Sequence, residues 1–416
     1  MKVGIIGGGL AGLSCAAELA RFGIETIIFE SDSDVGGLAG YISVQDERFP
    51  KTYHHVLATD VVLRNVFSKF DLPIDWKRPK IGIFSDGRLF SFSRPLDILR
   101  FSPLSVFDRL RLGFIILSAK DSSDLDNEDI EDWVSRKAGE NVYNKFVGPL
   151  VTSYFGSCQD VTARYIARRW SFESKGATNR LGEADFPALI DRYVLAIQKN
   201  KGQIKRNIKV DSIEVNRKGV IARAGEEFSL DKVVFACPAP EVVRLHPDVP
   251  DNVKASLEQV VYRACVCVTF RLKKKISSYY WLNVLDRSVP FIACFEYGNL
   301  NPRINGGLMY VVAYVDPDSH LFRSKNSDII SLFLNGLNKI FPNADELMSE
   351  VKWSYIFKAK YGSPIYRIGY PKLKHKVSEG VYIAGVYMAY PEIRSSGPAI
   401  QSGIECSKEI LQDIGA

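Results

Sequence analysis

Hydrophobic and polar positions follow two periods along this chain, and the switches between them divide it into elements. Lys2-Val3-Gly4-Ile5-Ile6 is a short apolar run that stops at Gly7-Gly8-Gly9. Leu13, Ala16, Ala17 and Ala20 then recur at helical spacing, which predicts a helix over about 11–22. A second apolar run, Thr26-Ile27-Ile28-Phe29, ends at Glu30. Strand, glycine turn, helix and strand therefore open the molecule. Further on, Val62, Leu63, Val66, Phe67 and Phe70 predict a short helix within 60–75, and 81–92 reads as a hairpin around Asp86-Gly87. Residues 94–173 are mostly helical in period, with turn signals at Ser102-Pro103 and over 120–129. A helix over 186–200 leads to a strand over 208–215, and 231–238 holds another apolar strand. From 247 to 371 the pattern is β-rich, with strands expected at 264–272, 291–296 and 308–314 and a helix at 328–341. An apolar strand ends at Gly385, and Pro398 stands where a last helix would begin.

The opening unit carries chemistry. Gly7 suits the tight turn, Gly9 lets a pyrophosphate approach the backbone, and Gly12 lets the helix pack closely on the strand. The amides of Leu10 and Ala11 lie in the first helical turn, where the helix dipole favours phosphate charge. Glu30 ends the second strand, where a carboxylate can accept both ribose hydroxyls. A glycine triplet alone is weak evidence. In register with strand, helix, strand and acid, it predicts a dinucleotide site.

A glycine doublet, Gly36-Gly37, follows Glu30 and Ser31, with Leu38 and Ala39 behind it. Here the chain resembles the glutathione-reductase-like FAD proteins, in the branch of monoamine oxidases, protoporphyrinogen oxidases, phytoene desaturases and UDP-galactopyranose mutases. The branch often has Arg after the doublet, where this chain has Leu38. The resemblance extends to Gly380-Val381-Tyr382-Ile383-Ala384-Gly385 and to Ser396-Gly397-Pro398-Ala399-Ile400. It implies that Gly385, Val386, Pro398, Ala399 and Ile400 lie at the flavin end, with the helix amides aimed at the N1/C2 edge of the ring. Many relatives carry an acid at the position of Val386. It implies as well that the backbone of Val210 and the strand ending at Cys237 lie against the cofactor. Some relatives attach FAD through a C-terminal cysteine, but the corresponding stretch here is Lys360-Tyr361-Gly362-Ser363-Pro364. FAD held without a covalent link is therefore expected.

The same resemblance implies an α/β fold. A Rossmann-type FAD domain would be assembled from 1–93, 186–246 and 372–416, and a substrate domain from 94–185 (helical) and 247–371 (β-rich). At 416 residues the chain exceeds what one core usually supports, so two intertwined domains fit its length. A hydrophobic share of 46% with 25% charged residues is ordinary globular composition. No apolar run reaches the length of about 18 residues that a membrane helix needs, and no signal peptide is visible. Cys15, Cys158, Cys237, Cys265, Cys267, Cys294 and Cys406 form no CxxC pair, which points to reduced thiols and a cytoplasmic location. The five histidines have no metal-ligand spacing, so no metal is expected. A net charge of +6 without an aromatic-interleaved basic stripe argues against nucleic acid.

The partners expected are a small-molecule substrate and a homodimer, with one membrane question. Residues 95–119 are rich in Leu, Ile and Phe yet carry Arg100, Arg109 and Arg111. Such a segment builds core, or it rests on a bilayer as the helical domains of protoporphyrinogen oxidases and carotenoid desaturases do.

Candidate catalytic residues come from two places. Tyr53-His54-His55 follows the doublet, and His54 or His55 could orient a polar substrate or exchange protons near neutral pH. Tyr387, Tyr390 and Arg394 lie in the aromatic-rich stretch before the last helix. The resemblance implies an FAD-dependent oxidase, dehydrogenase or desaturase in which flavin N5 accepts a hydride from a substrate C–H bond. No second glycine fingerprint for a nicotinamide is present, so oxygen, a quinone or a partner protein is the expected electron acceptor. Two other readings stay open. One is a UDP-galactopyranose-mutase-like enzyme using Arg168, Arg169, Arg303, Arg367 and Arg394 for a diphosphate; the other is a flavin-binding subunit without turnover.

Overall fold

A computed structural model describes residues 1–45, 47–156, 160–217, 219–341 and 347–415. Cys158 lies outside the described residues; the other six cysteines are free thiols.

The first layer is a six-stranded sheet in the order Gln203–Lys205, Glu25–Phe29, Lys2–Ile6, Lys232–Phe235, Val381–Ile383, Lys376–Ser378. All pairings are parallel except the last, and Ile5 lies between Ile28 and Val234. Alternation along the strands decides what each face covers. Val3, Ile5, Ile28 and Val234 pack on the helices Leu10–Arg21, Phe186–Lys199 and Ser396–Asp413. Ile6, Ile27 and Phe29 face the other way, onto Val220, Phe228 and Leu230 of an antiparallel meander. The meander begins at Ser212, later than the strand expected over 208–215, because 208–211 instead follows the end of the second strand: the Ile208 amide donates to the Glu30 carbonyl at 2.8 Å.

The second layer is a seven-stranded sheet in the order Val351–Pro364, Tyr262–Leu272, Gly307–Val315, Ala293–Glu296, Trp281–Val284, Ile81–Ser85, Arg88–Ser91. One face carries Val266, Val268, Phe270 and Val311 against Phe333 and Leu337 of the helix Asn326–Ile340. The opposite face, with Cys265, Cys267, Trp281, Tyr310 and Val312, looks toward the chain around Tyr53. The helices Val106–Ser118, Ile130–Ala138, Gly148–Phe155 and Ala163–Ser174 form a separate group, in which Trp133 packs on Trp170 at 5.9 Å.

Two expected boundaries shift. The hairpin at 81–91, assigned above to the first FAD segment, adds to the seven-stranded sheet through parallel pairing of Ile81 with Trp281. All five residues of its first strand, Ile81–Ser85, are buried there, so the sheet is covered on both faces at this strand. Leu181–Ala184, assigned to the helical segment, lies between Val56–Leu57 and Ile74–Lys77 of the first segment.

Candidate functional site

The glycine turn is shaped as a cradle. Gly7 has φ +107°, and a Cβ there would stand 2.6 Å from the Ala236 carbonyl oxygen. At Gly12 a Cβ would lie 2.0 Å from the Gly7 carbonyl oxygen, so the helix can cross this close only with glycine. Gly9 differs: a Cβ would meet nothing within 4 Å. The space beside Gly9 is open, as a bound pyrophosphate requires. Leu10 and Ala11 are buried in the first turn, where the Gly9 carbonyl accepts the Leu13 amide at 2.9 Å.

Around this turn the acid and the doublet close in. Glu30 is 8% exposed, and its carboxylate accepts the amides of Gly8 at 2.8 Å and Asp32 at 2.9 Å, with the Ser31 hydroxyl at 3.2 Å. Gly36 donates to the Gly8 carbonyl at 2.7 Å, and Gly36 and Gly37 have φ +115° and +56°. A Cβ on Gly37 would stand 3.2 Å from Gly9 Cα, so the doublet lies directly on the fingerprint loop. Leu38 keeps its side chain exposed while its carbonyl accepts the Thr52 hydroxyl at 3.3 Å. Val210 is buried next to the end of the second strand, and Cys237 follows Ala236 beside Gly7. Burial pushes the Cys237 thiol up to about 12, so it stays protonated and unreactive. This geometry fits a dinucleotide: an open glycine, a helix N-terminus and an acid held by backbone amides.

The C-terminal motif reaches the same place from the other end of the chain. The helix Ser396–Asp413 crosses the fingerprint helix at a small-residue contact: a Cβ on Gly403 would lie 2.1 Å from the Ala11 carbonyl oxygen. Ser14 donates its hydroxyl to the Ile400 carbonyl at 3.1 Å. Ile400 is fully buried in this crossing, so its side chain serves packing. Gly385 donates its amide to the Ser402 hydroxyl at 2.9 Å, and Val386, Pro398 and Ala399 are part-buried. A cavity of about 470 Å³ opens at the helix start, lined by Asp60, Arg168, Phe172, Met388, Glu392 and Pro398. Asp60 reaches that start: a Cβ on Gly397 would lie 2.2 Å from its Oδ1. The same carboxylate caps the helix Val61–Lys69 through Leu63 at 2.9 Å, and burial raises its pKa although the Leu63 amide opposes this. The positive end of the last helix thus already faces an acid of this chain.

The segment 50–55 leads from the doublet to an aromatic chamber. Tyr53 stacks on Phe295 at 3.6 Å, and His55 packs on Trp281 at 5.5 Å while its Nδ1 shares a hydrogen bond of 2.9 Å with the Tyr280 hydroxyl. Asn283 Oδ1 accepts from Trp281 Nε1 at 3.1 Å and from the Tyr154 hydroxyl at 3.2 Å, and Tyr154 lies 5.9 Å from Tyr314. Arg169 sits over Trp281 at 5.6 Å. Tyr53, Tyr154, Arg169 and Tyr314 are enclosed by protein, yet none is fully buried by area: the Arg169 side chain keeps 28% accessible. Side chains that are enclosed and accessible at once line an internal space.

The four candidate catalytic residues divide. His55 lines the chamber, but burial, with help from His54 and Arg169, lowers its pKa to about 3. It is neutral near pH 7, so the proton exchange expected of it there does not fit; it orients through hydrogen bonding instead. His54 turns away, with Nδ1 bonded to the Thr52 carbonyl at 2.9 Å and its ring on Phe186 at 4.8 Å, and burial lowers its pKa too. Arg394 reaches the far wall, where its Nη2 donates to the Tyr165 hydroxyl at 3.4 Å and its guanidinium covers Phe155 at 4.3 Å. Tyr390 points elsewhere, bonding Asp126 and Thr162, and burial with Asp126 raises its pKa. Tyr387 is a core residue, 2% exposed, not a pocket wall. Tyr154, Tyr165, Trp281 and Asn283 had no local sequence signal, since distant segments bring them together. Among the described residues no group of three or more His, Cys, Asp or Glu could hold a metal ion, and no helix is long and apolar enough to cross a membrane.

Fold and site together define a glycine cradle of the dinucleotide-binding kind beside a second, β-rich layer. The family model of the flavin containing amine oxidoreductases matches residues 10–411, and the chain belongs to that family. It is a flavin oxidoreductase. The chain is 23% identical to 15-cis-phytoene desaturase of Arabidopsis thaliana over 463 aligned residues, covering 99% of this chain and 80% of the relative. Two solved structures share the fold. Cyclohexylamine oxidase from Brevibacterium oxydans IH-35A superposes with a TM-score of 0.75 at 14% identity, covering 100% of this chain and 99% of the other. Reduced UDP-galactopyranose mutase does so with a TM-score of 0.77 at 14% identity, covering 100% and 94%.

Proposed function

We propose that this chain is an FAD-dependent oxidoreductase that holds FAD without a covalent link and oxidises a C–H bond of a small molecule seated in the Tyr53–Arg394 chamber. The observation that carries this reading is the pairing of an open glycine cradle with an aromatic chamber, joined by the six residues 50–55. FAD, when bound, supplies the hydride acceptor. The chain's own part is to bind and orient. The amides at Leu10 and Ala11 favour the phosphates, Glu30 takes the ribose, Tyr53 and Trp281 clasp an apolar or planar body, and neutral His55 offers one hydrogen bond. The stretch 360–364 offers no thiol for a covalent link; Ser363 and the Pro364 carbonyl accept from Arg394 instead. The mutase reading is disfavoured because three of its five arginines are elsewhere: Arg168 pairs with Asp121 and Glu392, Arg303 with Glu183, and Arg367 is exposed. Anaerobic addition of candidate amines, unsaturated hydrocarbons and organic acids should bleach the flavin band near roughly 450 nm with a true substrate. Turnover of a substrate with the band unchanged would remove the proposal.

The same reading includes a bilayer. Leu96, Leu99, Val106, Phe107, Leu110, Phe114 and Leu117 are all exposed, Phe107 by 77% and Phe114 by 71%. Of the two readings of this segment, core or bilayer, these residues follow the second, beside a cleft of about 460 Å³ whose lining includes Lys120, Asp124, Arg136 and Lys137. Exposed apolar side chains with lysines beside them suit an anionic lipid surface. The protein should float with vesicles containing phosphatidylserine, and Phe107→Asp with Phe114→Asp should abolish flotation without lowering Tm. Equal flotation of both proteins would count against it.

A further inference from the structure

The chamber wall holds more positive charge than the chain neutralises. Arg169 and Arg394 both act on the phenol of Tyr165. The Arg394 guanidinium bonds only neutral groups: Nη1 to the Ser363 hydroxyl and the Pro364 carbonyl, and Nη2 to the Tyr165 hydroxyl, with Nε buried and without a partner. Among the described residues it has no ion pair. Arg169 has one carboxylate nearby, Glu173, at a long 3.6 Å. Two guanidiniums against one carboxylate leave one positive charge over. By contrast, neighbouring Arg164 and Arg168 on the same helix are closely paired with Asp121 and Asp126. Burial raises the Tyr165 pKa, but Arg394 and Arg169 together bring it below the ordinary phenol value, which marks the local potential as positive.

We infer that this wall is a carboxylate subsite, and that the substrate is a monoanionic organic acid with an apolar or aromatic body. This rests on the reading of the chamber as the substrate site of a flavin oxidoreductase. The Arg169 side chain, 28% accessible, carries a guanidinium whose planar fork suits a carboxylate, and Arg394 adds a second cation bonded to the Tyr165 hydroxyl. Tyr53, Tyr154, Trp281 and Tyr314 supply the walls for the body. A diphosphate would bring more negative charge than one unpaired cation matches.

The test uses the flavin-loaded protein and four probes: benzoate, its neutral isostere benzamide, the cation benzylamine and inorganic pyrophosphate. Binding is read from the flavin spectrum and from the shift in Tm. Benzoate should bind at least about tenfold more tightly than benzamide, benzylamine and pyrophosphate. Arg169→Gln should remove about a tenfold share of benzoate affinity and leave benzamide unchanged, with Arg169→Lys between the two. Equal binding of benzoate and benzamide, tighter binding of pyrophosphate, or no effect of Arg169→Gln would overturn the inference. The probe comparison in the unmutated protein decides even where the variant misfolds. Protein that takes up no flavin would defeat the functional reading alone, because the Tm shift with benzoate would still report on the chamber.

Discussion

At the scale of residues, Gly9 and Gly12 separate binding from folding. A methyl group on Gly9 would enter open space, whereas one on Gly12 would overlap the Gly7 carbonyl. Gly9→Ala should therefore keep the apoprotein's Tm and weaken FAD uptake, measured by titration. Gly12→Ala should destabilise the fold itself by on the order of 2 kcal/mol, seen in urea unfolding. His55 makes a second case. Its folded pKa of about 3 lies below the ordinary histidine value, so the unfolded chain takes up the proton first as pH falls. The stability that neutral His55 contributes is complete above about pH 6.5 and is lost between there and about pH 3. Between pH 7.5 and 5.0 the His55→Gln protein should lose about 2 kcal/mol less unfolding free energy than the parent. Equal losses would mean that the imidazole is already solvated. Gly7, Gly9, Gly12 and Glu30 were legible in the sequence because strand, turn and helix follow one another locally. Tyr165 was not, and Arg169 stood out only as one of five arginines available for a diphosphate, since an arginine on a helix shows no particular role until its neighbours are known.

Among elements, the last helix shows how local pattern and tertiary context differ. Its start at Ser396, with Pro398 in the first turn, follows the sequence signal. What faces that start did not follow from it, because Asp60 lies more than three hundred residues earlier in a chain whose fold alone brings the two together. Asp60 serves two helix starts at once, so Asp60→Ala should lower stability by about 1–2 kcal/mol, whereas Asp60→Asn, which keeps one acceptor, should lose less. Thermal unfolding of the two variants compares them. The strand Val351–Pro364, the longest partner in the second sheet, shows the opposite failure. Trp353, Tyr355 and Phe357 alternate with Lys352 and Ser354, but Ile356 breaks the two-residue period in the middle of the strand. Trp281–Val284 is four residues long and too short to register as a period at all.

For the whole molecule, the fold class was readable because the dinucleotide motif fixes one sheet and its helices, and the remaining layers fill in around it. The boundaries between layers were less readable: the 81–91 hairpin leaves the first segment for the second sheet, and 181–184 does the reverse. Such exchanges depend on which edge a strand finds, which no local pattern records. The chamber proposed for the substrate draws Tyr154 and Arg169 from the helical group, Trp281 and Tyr314 from the second sheet and Tyr53 from the segment that leads to the glycine cradle. The oxidoreductase chemistry proposed for this chain depends on that cradle holding FAD. Acid precipitation of the purified protein, with the supernatant assayed for flavin, tests it most directly. The account predicts a yellow protein that releases about one FAD per chain and leaves a colourless pellet. A folded protein that is colourless and takes up no added FAD, or a pellet that keeps its colour, would contradict it.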